Sequence, residues 1–109
     1  QICRDSTVVA AYQADPLVHS KISSRWYTSL LAAMEAANAG SHAISVPTLW
    51  ILSGQDSICD ASVARQFAAS LPEARRAVLD FPDAYHEAHN GPDSNEVIRG
   101  IVDWLEGQL

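Results

Sequence analysis

Residues 46–52, VPTLWIL, constrain the fold of this chain more than any other stretch. Apart from Thr48 the run is apolar, too short for a membrane span and too continuous for a strand with one wet face. Such a run suits a strand buried on both faces by flanking helices, as in parallel sheets. Pro47 stands at its start, where a missing N–H costs least. Residues 61–71 then carry Val63, Ala64, Phe67, Ala68 and Leu71 at helical spacing. Asp60 serves as N-cap and Pro72 marks the end. Residues 77–81 form a second strand with Val78, Leu79 and Phe81 apolar. Asp93 and Glu96 resemble a capping box, opening a last amphipathic helix with Val97, Ile98, Ile101, Val102 and Leu105 on its inward face. Gly100 weakens that helix slightly. Residues 46–109 therefore read β-α-β-α with parallel strands, because parallel pairing needs a crossover of this length.

Residues 1–45 differ in character. Val8, Val9 and Tyr12 sit at helical spacing behind Asp5 or Ser6, and Asp15-Pro16 interrupts them. A second helix follows, capped by Ser23 or Ser24. Trp26, Leu30, Ala33, Met34 and Ala37 share its face, and Gly40 offers a left-handed stop. Residues 41–45 read as a connector. On spacing alone, Trp26 and Trp104 fit helix core positions, and Trp50 fits a buried strand. There are no repeats and no low-complexity tract.

Composition excludes several functions. The 109 residues are 48% hydrophobic, enough for one small domain. With 7 basic and 13 acidic residues and a net charge of −6, the chain lacks the basic face a nucleic acid or an anionic membrane surface requires. No apolar run reaches membrane-spanning length. Two cysteines, Cys3 and Cys59, make neither a disulfide framework nor a C-x-x-C motif. The chain begins Gln1-Ile2-Cys3, without an initiator Met or a signal segment, so its start reads as a cut inside a longer reading frame. Two strands make a poor sheet, and both are edges. The expectation is a chain that is incomplete by itself, and that dimerises, swaps segments or pairs with a missing N-terminal half.

Two residues could carry chemistry. Asp56 closes VPTLWILSGQD (46–56), and His86 closes RRAVLDFPDAYH (75–86). Ligand crevices in parallel sheets lie beyond the carboxyl ends of the strands. If the two strands are neighbours, roughly 4.8 Å apart, their loops bring carboxylate and imidazole within hydrogen-bond reach. In that arrangement an aspartate accepts from Nδ1–H and leaves Nε2 to take a proton from a nucleophile. The turn Ser53-Gly54-Gln55 lets the chain reverse and present Asp56. Taken singly, Asp56 also fits a turn aspartate and His86 an exposed loop imidazole; the strand order is what links them. Asp60 is a rival carboxylate better explained as a helix cap, and Asp83 belongs to a turn. HEAH (86–89) is not H-E-x-x-H and lacks a third ligand, so no metal or other cofactor is expected. His19 and His42 fall in connectors and receive no role. Cys59 reads as a small buried hydrophobe rather than a thiol at the site.

The order strand, Asp, helix, strand, His, helix is that of the last two members of a Ser-Asp-His triad in an α/β-hydrolase. VPTLWILSGQDSICD followed by RRAVLDFPDAYHEAHN resembles the C-terminal block of monoacylglycerol lipase- and lysophospholipase-like α/β-hydrolases, including the terminal Trp104-Leu105 pair. CRDSTVVAAYQADPLVHSKISSRW is similar to the family's passage from cap to core, with its Asp15-Pro16-Leu17 string. The resemblance implies that Asp56 is the triad acid and His86 the base, and that residues around 5–40 line or hinge a lid over an acyl pocket. It implies a serine ester hydrolase acting on a lipid-like or small carboxylic ester, without cofactor or metal. No G-x-S-x-G elbow occurs in the chain, so the serine and oxyanion hole are expected on another segment, and the 109 residues alone are expected to be inactive. The alternative is a non-catalytic truncated α/β module that self-associates. Substrate, acyl length and compartment are not read from these residues.

Overall fold

Two parallel strands sit side by side at the centre of the fold and carry the two loops of interest. The computed structural model describes all residues 1–109. In chain order the elements are α1 (Ser6–Ala14), α2 (Ser24–Gly40), β1 (Thr48–Ser53), α3 (Ala61–Ser70), β2 (Arg76–Phe81) and α4 (Ser94–Glu106). Single 3-10 turns occupy Ser41–Ala43, Glu73–Arg75 and Ala88–Asn90. β1 and β2 pair in parallel from Thr48↔Arg76 to Ser53↔Phe81, with α3 as the crossover. The expected β-α-β-α order is present, with both strands ending at the same level.

Local chemistry accounts for the boundaries. Asp5 caps α1 by accepting from the amides of Thr7 and Val8, and Ser23 caps α2 through the Trp26 amide at 3.1 Å. Asp60 caps α3, accepting from the amides of Ser62 and Val63 and from the Ser62 hydroxyl. These bonds hold its carboxyl below the ordinary value. The far end of α3 is closed from a distance: the Arg76 guanidinium donates to the carbonyls of Ala68, Ala69 and Leu71. One side chain at the start of β2 thus satisfies carbonyls left open at the end of the crossover helix.

The core lies where α4 crosses the sheet. Ala84, Ala88 and Val97 are buried together, with Ile51, Phe81 and Ile101 packed against them. Leu52, Ala68 and Leu71 are buried on the α3 side. Cys3 is also buried, because the first residues return to the C-terminal part. The Ile2 carbonyl accepts from the Glu87 amide at 2.7 Å, and Arg4 pairs with Asp93. The first four residues therefore pack with the block that begins at 46, although the sequence groups them with 1–45.

Several sequence expectations need correction. Gly40 has φ −98° and ψ 3°, and α2 passes through it into the 3-10 turn instead of stopping in a left-handed residue. Asp93 makes no capping bond through its side chain; Arg4 takes its carboxylate. On α4 only Val97 is fully buried, while Ile98, Val102 and Leu105 remain about half exposed. No residue of α2 is buried, and Trp26 is 53% exposed. Trp50 lies only partly covered in β1, its ring packed on Phe67 at 5.3 Å. For the uncovered apolar positions on α2, α4 and β1 the physical reason is common. Helical periodicity states which face seeks cover, but a two-stranded sheet and one crossover helix offer too little surface to provide it. The radius of gyration of 15.8 Å accordingly exceeds the about 13 Å of a well-packed domain of this length.

Candidate active site

Asp56 and His86 meet beyond the carboxyl ends of the two strands. The two loops that carry them are clasped together by backbone groups. Gly54 donates to the Phe81 carbonyl and Gln55 to the Ala84 carbonyl, both at 2.9 Å. Gly54 approaches Pro82 so closely that a Cβ there would lie 2.3 Å from the Pro82 carbonyl oxygen. Glycine is required by contact, since its φ is not positive. The sequence suggests Gly54 as a turn former; its role as the contact point between the loops is visible only in the fold.

Asp56 is fixed at both carboxylate oxygens. Oδ1 accepts from the amides of Ile58 at 2.8 Å and Cys59 at 3.0 Å. Oδ2 lies 2.9 Å from Nδ1 of His86. Burial pushes the Asp56 carboxyl up, but the bonds from Cys59, His86 and Ile58, with the charge of the imidazole, outweigh it and hold the carboxyl below its ordinary value. An ionised carboxylate only accepts, so Nδ1 carries the hydrogen. In the neutral ring Nε2 is then an open lone pair. The aspartate side chain is 10% exposed and the histidine 35%, so the pair has a sheltered acid and a base open to an incoming group. The arrangement can take up a proton at Nε2 and stabilise the imidazolium that results.

A cavity of about 220 Å³ opens at this point, with Trp50, Ile51, Ser53, Asp56, Cys59 and His86 among its lining. A larger surface depression, about 580 Å³, lies beside Tyr12, Val18, His19 and Lys21 and contains neither member of the pair. The remaining sequence candidates separate from the site. Asp60 is occupied as the α3 cap, Asp83 lies in the turn after β2, and His42 sits in the 3-10 turn after α2. Cys59 is exposed rather than buried. One ligand atom from each of Asp56, Cys59 and His86 falls within 4.8 Å of the others. HEAH (86–89) lacks a third ligand, and the set that does converge is drawn from two separate loops. The only signal for it in the sequence is the placement of Cys59 three residues after Asp56.

Comparison with known proteins decides the family. The Hydrolase_4 family model, described as serine aminopeptidase S33, matches residues 1–93. The chain belongs to this family. A phospholipase of Bacillus subtilis, YtpA, is 30% identical over 97 residues, covering 88% of this chain and 38% of the relative. A monoacylglycerol lipase of Mycolicibacterium smegmatis is 26% identical over 109 residues, or 99% of this chain and 39% of that one. The crystal structure of a monoacylglycerol lipase from Paleococcus ferrophilus superposes with a TM-score of 0.90 at 31% identity, over 95% of this chain and 41% of the other. The fold is thus a portion of an α/β-hydrolase, and the chain spans about two fifths of the length of these relatives. No helix is long and apolar enough to cross a membrane.

Proposed function

We propose that this chain is the acid- and base-bearing portion of a serine hydrolase that cleaves carboxylic esters of lipid-like alcohols, with Asp56 as acid and His86 as base. One observation carries the reading: the 2.9 Å contact between Asp56 Oδ2 and His86 Nδ1 at the ends of two adjacent parallel strands, in a chain of a serine hydrolase family. Relatives named phospholipase and monoacylglycerol lipase support an ester of fatty acyl type.

In this reading the serine comes from a segment outside the 109 residues, since no G-x-S-x-G motif occurs among them. Its Oγ attacks the ester carbonyl while His86 Nε2 accepts the proton. The imidazolium, held by Asp56, returns that proton to the departing alcohol, and water releases the acyl-enzyme by the same relay. Residues 5–40 form part of the lid over the acyl pocket, which accounts for the apolar side chains that α2 leaves in solvent.

The test is to combine the chain with a polypeptide bearing the serine elbow of the parent protein. Ester turnover and labelling by a fluorophosphonate should appear together, with the label on the added polypeptide. His86→Ala should lower kcat by about 10³-fold or more. Turnover that survives His86→Ala refutes the assignment of the base, and a label on the 109-residue chain refutes the external serine. A second reading, a non-catalytic module that self-associates, is favoured by the exposed apolar residues of α2 and α4. It predicts no turnover in that mixture.

A further inference from the structure

We infer that Asp56, Cys59 and His86 form a binding site for a thiophilic divalent cation of the zinc type. The three side chains supply a carboxylate oxygen, a thiol sulfur and a ring nitrogen within 4.8 Å of one another. Zinc is the divalent ion whose preferred donors match this set; magnesium and calcium select oxygen alone. Bonds of about 2.0–2.3 Å in a tetrahedral sphere place donor atoms roughly 3.3–3.8 Å apart. The set therefore closes on an ion with shifts of about 1 Å in the donor atoms.

Two further features suit the site to a cation. The Ile58 and Cys59 amides hold Oδ1 of Asp56, and its other oxygen already lies 2.9 Å from Nδ1 of His86, so two of the three ligand groups stand side by side. Ligands held in this way need little reorganisation to bind. Cys59 and His86 are both exposed, and the cavity beside them is open to an entering ion. Three protein ligands leave a fourth position for water. On binding, the thiol proton passes to solvent. The neutral imidazole keeps one proton, on whichever nitrogen does not face the ion.

The inference concerns binding and is independent of the ester-hydrolase reading. Its consequence does rest on that reading: coordination through Nδ1 breaks the contact with Asp56, and coordination through Nε2 consumes the lone pair that accepts the serine proton. Either way the ion disables the base.

The experiment is titration of the reduced 109-residue chain with zinc by calorimetry and with cobalt(II) by absorption spectroscopy. One ion per chain is expected, with the intense visible bands and near-ultraviolet sulfur-to-cobalt charge transfer of a tetrahedral thiolate site. Cys59→Ser should remove the charge-transfer band and weaken binding about tenfold or more, and His86→Ala should also weaken it. Cys3→Ser, at the buried cysteine, should leave the band in place. Cys59 is exposed in a loop, so its replacement leaves the fold intact, as far-ultraviolet circular dichroism would report. Absence of binding, binding unchanged by Cys59→Ser, or a charge-transfer band lost with Cys3 in place of Cys59 would each overturn the inference.

Discussion

Asp56 shows how a single carboxylate serves two purposes. Oδ1 closes the turn that follows β1, and Oδ2 orients His86. Its folded-state value lies below the unfolded one. The ionised form therefore contributes stability that is fully present above the ordinary carboxylate value and is lost as pH falls through the lowered one. Unfolding of the native chain and of Asp56→Asn, compared from neutral pH to below about pH 4, should show a gap that narrows with acidification. A gap of constant size would place the effect of the substitution elsewhere. In the reconstituted hydrolase the same Asn substitution should cost about 10⁴-fold in kcat, because the amide favours the wrong tautomer. Steady-state kinetics on a soluble ester checks this.

At the scale of elements, the decisive feature is that β1 and β2 end level and their loops touch. Gly54 against Pro82 is the contact point. Gly54→Ala drives a Cβ onto backbone that has no rotamer to yield, so the loops must separate. The expected cost is about 1–3 kcal/mol, read from denaturant unfolding. The His86 imidazole resonances should shift as Asp56 withdraws. Gly100→Ala is a useful contrast. Its Cβ would meet only the Leu79 side chain, most closely Cδ1 at 2.6 Å, the flexible end of that side chain, and alanine is the better helix former. Its effect on unfolding should be much smaller than that of Gly54→Ala, and the His86 resonances should stay in place. Of this geometry the sequence shows the strands, their order and the two residues that follow them. It does not show the clasp, because a glycine needed for close approach looks the same in a sequence as one needed for a turn.

Across the whole molecule, apolar surface exceeds what the core can cover. Trp26, Leu30 and Met34 on α2 and Ile98, Val102 and Leu105 on α4 are all between 38% and 53% exposed. Clusters of this kind favour association in water. Sedimentation velocity of the 109-residue chain should show an average mass that rises with concentration. Replacing Leu30 and Met34 by Glu should shift it back toward monomer. A monomer at all concentrations would refute this expectation.

Read alone, the sequence determined the element order, the parallel strands and the positions of Asp56 and His86 just past them. Each of these is a short-range property, carried by apolar period, capping residues and loop length. The tertiary structure decided what depends on distance between segments. It set Oδ2 and Nδ1 2.9 Å apart, turned Cys59 outward beside them, gave Asp93 to Arg4, and left the apolar faces of α2 and α4 open. Periodicity reports which side of an element is apolar. Only the packing of the chain in space determines whether another element is there to meet it.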